Sequence, residues 1–568
     1  MFKVRLVYIF FSVLFLALIV RLFYWQVIKA KNLAKQARAQ YQSGEKISAS
    51  RGNILARDAT WLAARGEAWK VYAWVPEVVD VNYTADTLAP FFVGSDGGKS
   101  VLAEEAGRIK SQLTRDDVSW VPLKSRVTGQ VKESLEEMEL PGIGFEPEET
   151  RVYPEASSAA HLLGFVGKDD EGEPTGYFGL EGYYDLPLSG KPGFLEREKD
   201  AVGVPIFTGT SLEISAIGGV DLQTHIDKAV QSNLDKKLLE GIEKYGAKGG
   251  SAIVMDPKSG AIFGGASFPS YEPSEYFNYG DEFFKDVNVS DSFEPGSIFK
   301  VLVMAAALDA GVVELDTKCD ICGGPLKIDK YEIETWNRQY RADSTMTDVI
   351  VNSDNVGMAY VAQKLGADRL WDYLDKFGFG RETKVDLQGE IEGNLRRKGT
   401  WNEVDLATAG FGQGIAVTPM QMVKAVGAIA NGGYEITPQV VDKLVGLGWQ
   451  EDIPPRTGPR ILSDKAVSEI RVMMVAAAQH GESKWINIRG FKVAGKTGTA
   501  QIPIAGHYDE EKTNASFVGF APADNPKFVM LVTLREPQSS PWASETAAPL
   551  WYSIAQDLFL RFGIQPEN

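Results

Sequence analysis

Glu294-Pro295-Gly296-Ser297-Ile298-Phe299-Lys300 is the stretch that decides how this 568-residue chain is interpreted. Pro and Gly ahead of the apolar, alanine-rich run 301–308 are typical of a helix start. Ser297 is therefore predicted at a helix N-terminus, with Lys300 one turn further on the same face. A serine needs a base to become a nucleophile, and a lysine serves as that base only when burial or nearby cations lower its pKa.

The S-x-x-K pattern is weak evidence by itself. About two copies are expected by chance in a chain of this size, and Ser43-Gly44-Glu45-Lys46 is a second copy in a polar segment, which we set aside. On the tetrapeptide alone, Ser297 is better interpreted as a helix cap than as a nucleophile.

Ser353-Asp354-Asn355 is the second candidate element. It lies between a predicted short helix at 348–351 and a predicted helix at 356–365, in a loop that can project three polar side chains. The alternative is again a helix cap, because Ser, Asp and Asn all serve that role.

Lys496-Thr497-Gly498-Thr499 is the third element, in a predicted strand over 492–499. Glycines within a strand indicate close approach by a ligand or another backbone. The edge of such a strand binds an extended peptide by β-addition, while Lys496 offers a positive charge for a carboxylate. Lys258-Ser259-Gly260 also fits K-[ST]-G, but it occupies a hairpin turn and is rejected.

Residues 490–497 also match the phosphate-binding pattern G-x-x-x-x-G-K-[ST]. A phosphate-binding loop of that kind follows a strand and opens a helix, whereas these residues are themselves predicted as a strand. A nucleotide site is therefore disfavoured. A Ser-His-Asp hydrolase is disfavoured as well, because no G-x-S-x-G elbow surrounds Ser297.

The N-terminus predicts a membrane anchor. Residues 6–28 are almost wholly apolar, with Arg21 near one end, and aromatic residues at 23–25 have a membrane-interface composition. A cleaved signal peptide is the alternative, but it would end in small residues. Residues 1–5 form the predicted tail. Lysines and arginines on both sides of the span leave its orientation open.

The rest of the chain is predicted as two α+β domains. Residues 29–218 combine a helical stalk at 29–42 with short alternating runs broken by Gly and Pro, and residues 219–564 form the second domain. In the latter, strands precede and follow a helical middle, which predicts an antiparallel sheet flanked by helices whose first and last strands are neighbours. Strands are expected at 220–226, 251–255, 261–263, 492–499, 515–520 and 528–534, and helices at 227–243, 300–310, 348–351, 356–365, 419–431, 465–480 and 550–562.

Composition excludes some functions. The net charge of −17 offers no basic face for nucleic acid. Cys319 and Cys322, the only cysteines, lie in a turn-like segment and lack further metal ligands, so a local disulfide or two free thiols is preferred to a metal site. No cofactor and no metal are predicted.

The ordered set S-x-x-K, S-x-N and K-T-G is typical of penicillin-binding proteins and serine β-lactamases. With the single span, the chain resembles a class B penicillin-binding protein of the division-type branch over nearly its whole length. Further segments similar to that family follow here: 51–58, 151–154, 161–167 and 179–182 in the non-catalytic pedestal (dimerisation) module, and 255–257, 411–414, 418–421 and 516–522 near the active site.

The resemblance implies a peptidoglycan D,D-transpeptidase. In that interpretation Ser297 attacks the penultimate D-Ala carbonyl of a stem peptide with Lys300 as its base, Ser353 relays protons, and Asn355 orients Lys300. Lys496, Thr497, Gly498 and Thr499 are the remaining implied site residues: Lys496 and Thr497 hold the terminal carboxylate, and the N–H groups of Ser297 and Thr499 form the oxyanion hole.

The resemblance also implies partners, location and rivals. The partners are stem peptides, penicillins as inhibitors, the membrane, a polytopic membrane glycan polymerase and other division or elongation proteins. The catalytic domain is expected outside the cytoplasm. The alternatives are a serine β-lactamase or D,D-carboxypeptidase, for which Glu390 to Asn394 is a loose E-x-x-x-N match, and a non-catalytic β-lactam sensor or divisome scaffold.

Overall fold

The computed structural model describes residues 2–31, 33, 42–94, 98–115, 117–198, 211–504 and 507–567. The chain divides into two compact units. The first consists of Met1–Arg51 and Ser189–Gly219, and the second of Gly52–Leu188 and Val220–Asn568.

The α-helices, in chain order, are α1 (Phe2–Phe23), α2 (Val81–Val93), α3 (Lys99–Leu113), α4 (Gly129–Glu136), α5 (Ala160–Leu163), α6 (Gly179–Tyr183), α7 (Asp185–Ser189), α8 (Lys228–Tyr245), α9 (Val287–Ser290), α10 (Lys300–Asp309), α11 (Met346–Val351), α12 (Asn355–Leu365), α13 (Ala367–Phe377), α14 (Glu403–Ala409), α15 (Pro419–Ala430), α16 (Asp464–His480) and α17 (Ala547–Arg561).

The strands are β1 (Gln42–Ile47), β2 (Ile54–Leu55), β3 (Trp61–Trp74), β4 (Trp120–Val127), β5 (Ile143–Val152), β6 (Phe165–Lys168), β7 (Pro174–Tyr177), β8 (Gly193–Glu198), β9 (Ser211–Ile214), β10 (Asp221–Thr224), β11 (Gly249–Met255), β12 (Ile262–Phe268), β13 (Leu326–Ile328), β14 (Tyr331–Ile333), β15 (Tyr434–Ile436), β16 (Val441–Gly446), β17 (Trp449–Asp452), β18 (Thr457–Arg460), β19 (Ala494–Ile504), β20 (His507–Ala521) and β21 (Phe528–Arg535).

The first unit contains the predicted membrane span. Helix α1 continues into a π-helical turn at Tyr24–Ile28, and together they form a 27-residue segment that is long and apolar enough to cross a membrane. The helix begins at Phe2, four residues before the predicted start of the span at residue 6. Most of the predicted stalk at 29–42 lies outside the described residues. The antiparallel sheet β1-β8-β9 completes the described part of this unit.

A five-stranded antiparallel sheet forms the centre of the second unit, in the order β12-β11-β21-β20-β19. Strand β11 pairs with the last strand, β21, and Gly249 lies opposite Arg535, so strands from before and after the helical middle are neighbours. The first predicted strand of the domain, at 220–226, does not join this sheet, because β10 pairs with β2 and β16 instead. Every residue of β11 is buried because helices cover both faces of the sheet. The predicted hairpin β11-β12 is confirmed.

Two hydrophobic cores lie on the two faces of this sheet. Helices α8 and α17 pack on one face, where Trp551 is fully buried and donates its indole N–H to the carbonyl of Met530. The other face carries the larger helical core, in which α10 is buried from Lys300 to Leu308. All of the predicted helices of this domain are present, with ends displaced by less than one turn.

A second large sheet crosses the boundary predicted near residue 218. Its order is β17-β16-β10-β2-β3-β4, with β5 also paired to β3. Strand β10 is parallel to β2, where Leu222 lies opposite Ile54, and antiparallel to β16, where Asp221 lies opposite Val445. The lobe of β3, β4, β5, α2 and α3, within the segment predicted as a pedestal, has its own apolar core. We call this lobe the pedestal lobe.

Candidate active site

Ser297 lies in a short 3₁₀ turn, Gly296–Phe299, that leads directly into α10. The prediction of a helix start is confirmed, although the α-helix itself begins only at Lys300. Gly296 has φ +54°, a conformation that favours glycine, and its N–H donates to the carbonyl of Gly412 at 3.0 Å. The turn that presents Ser297 is therefore fixed by its own glycine and by a distant loop.

Strand β19, which carries Lys496 to Thr499, packs closely against that turn. A Cβ at Gly498 would lie 2.8 Å from Cγ2 and 2.9 Å from the backbone nitrogen of Ile298, so a larger residue would push the strand away from Ser297. The close approach predicted for Gly498 is confirmed. β19 is also the last strand of its sheet, which leaves one edge unpaired with any described strand.

Lys300 is fully buried, and its Nζ makes three hydrogen bonds. It donates to the Ser353 carbonyl at 2.7 Å, to Ser353 Oγ at 3.3 Å and to Asn355 Oδ1 at 2.7 Å. Among the described residues these are its partners, and the hydroxyl of Ser297 is not one of them. Catalytic hydrogen bonds are often long before substrate binds.

The pKa of Lys300 is lowered to about 7. Burial is the main cause, because removing the ammonium from water disfavours the charged form, and the positive charge of Lys496 adds to it. Glu482 and Asp354 oppose the shift. The amine of Lys300 therefore loses its proton far more readily than an ordinary lysine, as its proposed role as a base requires.

Ser353 has φ +55°, which is uncommon for a residue with a side chain and costs about 1–3 kcal/mol. Its neighbour Asp354 caps α12, accepting from the N–H groups of Val356 and Gly357. The cap interpretation is thus correct for Asp354, whereas Ser353 and Asn355 both contact Lys300.

Lys496 and Thr497 are also buried, with 3% and 4% of their surface exposed. Lys496 Nζ donates to the carbonyl and to Oγ1 of Thr497, both at 3.1 Å. The Thr497 hydroxyl donates to Glu482 Oε2 at 2.8 Å. Burial lowers the pKa of Lys496, and the charge of Glu482 opposes that effect.

Glu482 is a site residue that the sequence motifs did not indicate. It follows Gly481, which ends α16, and lies in a turn rather than in any recognisable motif. The chain packs tightly there, since a Cβ at Gly481 would lie 2.8 Å from the carbonyl oxygen of Val351. This packing places Glu482 beside the loop of Ser353.

A small cavity of about 80 Å³ brings these groups together. Its mouth carries the rings of Trp336 and Trp542, whose centroids are 5.3 Å apart. The lining consists of Gly296, Ser297, Trp336, Ser353, Asn355, Phe411, Gln413, Glu482, Thr499 and Trp542. Of the predicted site residues, Ser297, Ser353, Asn355 and Thr499 line it directly, while Lys300, Lys496 and Thr497 are connected to it through hydrogen bonds.

The segment between α10 and α11 forms part of this wall. Trp336 donates its indole N–H to the Asn352 carbonyl, and Asn355 Nδ2 donates to the carbonyl of Glu334 at 3.0 Å. Within the same segment Cys319 and Cys322 form a disulfide. The sequence left a local disulfide and two free thiols as alternatives, and the structure shows the disulfide. The described residues contain no cluster of metal ligands.

Two sequence patterns had suggested other functions: the phosphate-loop match at 490–497 and the E-x-x-x-N match at Glu390 to Asn394. Residues 494–504 form a strand, so the phosphate-loop match does not open a helix. The carboxylate of Glu390 accepts from the N–H groups of Thr383 and Lys384, at 2.7 and 3.0 Å, and stabilises a loop away from the cavity lining. Glu390 is therefore not positioned to activate water beside Ser297.

Known proteins resemble the chain in sequence and structure. The model of the penicillin binding protein transpeptidase domain matches residues 250–556, and that of the penicillin-binding protein dimerisation domain matches residues 46–224. Stage V sporulation protein D of Bacillus subtilis (strain 168) is 29% identical over 573 residues, covering 100% of this chain and 86% of that protein.

Two further relatives agree with this assignment. Peptidoglycan D,D-transpeptidase FtsI of Escherichia coli (strain K12) is 28% identical over 554 residues, covering 96% of this chain and 90% of that protein. The crystal structure of penicillin binding protein 2X from Streptococcus thermophilus superposes with a TM-score of 0.74 at 25% identity, covering 92% of this chain and 80% of that one. Because the transpeptidase model matches more than half of its length, the chain belongs to the penicillin-binding protein transpeptidase family.

Proposed function

We propose that this membrane-anchored penicillin-binding protein is a serine-type D,D-transpeptidase that cross-links peptidoglycan stem peptides through a Ser297 acyl-enzyme, in cell-wall synthesis at division. The observation that carries the proposal is Lys300, a fully buried amine held by Ser353 and Asn355 in the wall of the cavity that Ser297 lines. A lysine with neutral partners and a pKa of about 7 supplies the base that a serine nucleophile lacks.

In the acylation step, neutral Lys300 takes the proton of the Ser297 hydroxyl as Oγ attacks the penultimate D-Ala carbonyl. The backbone N–H groups of Ser297 and Thr499 stabilise the negative charge that develops on the carbonyl oxygen. Ser353, hydrogen-bonded to Lys300, passes a proton to the leaving nitrogen. The C–N bond then breaks, terminal D-Ala leaves as an amine, and the acyl-enzyme remains.

The second step transfers the acyl group to an amine of a neighbouring stem peptide. That amine attacks the ester carbonyl, the same N–H groups stabilise the oxyanion, and Lys300 with Ser353 accepts the proton that the amine loses. The ester bond breaks, Ser297 Oγ recovers its proton, and the new amide is the cross-link. Water in place of the amine would give a carboxypeptidase, and Glu390 is not placed to favour water.

The donor peptide is recognised by β19. Lys496 and Thr497 hold its terminal carboxylate, and Gly498 allows the strand to approach Ser297. The edge of β19 that no described strand covers pairs with the extended peptide backbone. Penicillins acylate Ser297 because they present a reactive amide carbonyl and a carboxylate to the same groups.

The anchor and the substrate together determine location and partners. Stem peptides are cross-linked outside the cytoplasm, so the second unit is extracytoplasmic and the tail 1–5 cytoplasmic. The Escherichia coli relative is named a peptidoglycan D,D-transpeptidase, which supports the reaction. The amine acceptor requires nascent glycan nearby, so we propose a polytopic membrane glycan polymerase as the partner of this chain.

Covalent labelling with a fluorescent penicillin tests the proposal. The full-length protein in detergent should retain the label after denaturation, Ser297→Ala should not be labelled, and Ser43→Ala, the serine of the other S-x-x-K copy, should be labelled like the wild type. Label on Ser297→Ala would overturn the assignment of the nucleophile.

Two further readouts separate the rivals. Rapid release of the label by hydrolysis would indicate a β-lactamase, and monomeric trimmed products from a stem-peptide substrate would indicate a carboxypeptidase. Cells that grow and cross-link normally with Ser297→Ala as their sole copy would favour a scaffold. Cross-linked dimers from the wild type alone support the transpeptidase.

A further inference from the structure

The carboxylate of Glu482 lines the same cavity as Ser297 and Ser353, and the proposed reaction does not use it. It accepts a hydrogen bond from the Thr497 hydroxyl at 2.8 Å. The question is what a negative charge does at a site that has to bind the terminal carboxylate of a donor peptide.

The direction of the hydrogen bonds limits the answer. Lys496 donates to Thr497 Oγ1, and Thr497 donates to Glu482. A threonine hydroxyl has a single hydrogen, and a carboxylate can only accept. Before any substrate binds, therefore, the hydrogen that Thr497 would offer to the donor carboxylate is already held by a carboxylate of the protein.

We propose that Glu482 is an internal competitor for the terminal carboxylate of the donor: it holds the Thr497 hydroxyl in the free enzyme, and ligands that carry a carboxylate must displace it. This inference rests on the proposed function, which assigns the donor carboxylate to Lys496 and Thr497. Two carboxylates on one hydroxyl would also repel each other at short range. Glu482 is thus a specificity-determining residue that weakens the binding of anionic donors.

Displacement of Glu482 requires only a side-chain rotation. The backbone on its N-terminal side is held in place, because the N–H of Gly481 donates to the Ala477 carbonyl at 3.0 Å. Ser483, on its C-terminal side, is 2% exposed. The Glu482 side chain itself is half-buried and faces the cavity, so it can rotate while the turn that carries it stays in place.

Glu482 has a second electrostatic effect, which the test has to separate from the first. Its charge raises the pKa of both Lys300 and Lys496 against the effect of burial. Removing that charge would favour neutral Lys300 and change the acylation rate for every ligand, with or without a carboxylate. A competitor, in contrast, affects only ligands that carry one.

The experiment measures second-order acylation rate constants of the full-length protein with benzylpenicillin and with its uncharged methyl ester. For Glu482→Gln we expect the ratio of the two rate constants to rise about tenfold in favour of benzylpenicillin, as expected for the loss of one nearby like charge. Glu482→Ala, which removes the acceptor altogether, should change the ratio in the same direction.

Glu545→Gln is the matched control. Glu545 is exposed and lies three residues after Trp542 at the mouth of the cavity. Its substitution removes the same charge, so the ratio of the two acylation rate constants should equal that of the wild type. The role of Glu482 would be overturned if the ratio of the two rate constants stayed unchanged in both Glu482 variants, as it would if both rate constants rose equally. A ratio that falls would overturn it as well. Labelling that persists in a Ser297→Ala, Glu482→Gln double variant would instead overturn the proposed function.

Discussion

Two buried cations in the second unit have opposite surroundings. Arg151, at the end of the pedestal lobe, lies with its Nε 2.6 Å from a carboxylate oxygen of Glu181, and the two side chains are 6% and 0% exposed. Arg151 also donates to the carbonyl of Gly52 at 2.7 Å. Lys300 is fully buried, but its hydrogen-bond partners are the uncharged oxygens of Ser353 and Asn355.

The difference separates a structural charge from a chemical one. A buried cation beside a carboxylate keeps its proton, and the pair connects segments that are distant in the chain. A buried cation beside neutral oxygens is disfavoured in its charged form, so its pKa falls. The ion pair of Arg151 therefore joins the pedestal lobe to α6, whereas we propose that Lys300 exchanges a proton. Four predictions test or sharpen this comparison.

Lys300→Met should have the largest effect. Removing the base should lower the acylation rate with benzylpenicillin by about a thousandfold, within the range typical of general-base catalysis. The unfolding midpoint should change little, because methionine fills the same space without a buried charge. Stopped-flow acylation and thermal unfolding measure the two quantities. Lys364→Met, on the exposed face of α12, should leave both unchanged, and a Lys300→Met protein that acylates normally would contradict the role of base.

Arg151→Met should show the reverse pattern. It removes the buried ion pair with Glu181 and the hydrogen bond to the Gly52 carbonyl, which should lower the free energy of unfolding by about 3–5 kcal/mol. The folded fraction should still acylate at the wild-type rate. Guanidinium unfolding followed by fluorescence measures the change. Arg115→Met, which removes an ion pair between exposed side chains, should leave the free energy of unfolding nearly unchanged. Equal costs for the two variants would contradict the comparison.

Asn355→Asp should give Lys300 a carboxylate partner like that of Arg151. It places a carboxylate where Asn355 Oδ1 lies 2.7 Å from Lys300 Nζ. An opposite charge at that distance raises a lysine pKa by about 1–3 units, so acylation at pH 7 should fall at least about tenfold and recover at higher pH. Asn337→Asp adds the same charge to an exposed residue and serves as the control. An unshifted pH profile in Asn355→Asp would show that the charge of Lys300 does not limit the rate.

The pH profile of the wild type should show the smallest effect. Because burial lowers the pKa of Lys300 to about 7, the neutral amine predominates above that pH and is lost below it. Acylation should therefore rise about fivefold from pH 6 to pH 7 and level off above pH 8. Acylation rate constants in a series of buffers at constant ionic strength measure it. A profile that rises only near pH 10 would mean that Lys300 keeps an ordinary pKa.

The core of the site could be predicted from the sequence because its chemistry is local. Ser297 and Lys300 are one helical turn apart, and the residues of the S-x-N and K-T-G elements are adjacent, so each element is visible as a short pattern. Because the three elements occur in the order typical of penicillin-binding proteins, the sequence also predicts that they lie together in one site. The close approach at Gly498 could also be predicted, because a glycine within a strand indicates that another group lies close to the backbone.

The remaining parts of the site come from segments with no local signal. Glu482 lies in a turn, and only tertiary packing brings it to Thr497. Trp336 and Trp542 are in contact at the cavity although they belong to loops that are distant in the chain. A third distant loop contributes Gly412, whose carbonyl accepts a hydrogen bond from the turn of Ser297. A single sequence does not contain these long-range contacts as a pattern, because any turn glutamate or loop tryptophan has the same appearance.

The sheet that joins β2, β10 and β16 has a practical consequence for anyone who wishes to isolate the catalytic part. A fragment that begins at residue 219 would keep β10 but lose β2, its parallel neighbour. The N–H and C=O groups of β10 on that side would then form a raw sheet edge, which is a template for self-association. Such a fragment should precipitate or form oligomers, whereas one that begins at Gly52 retains the missing strand.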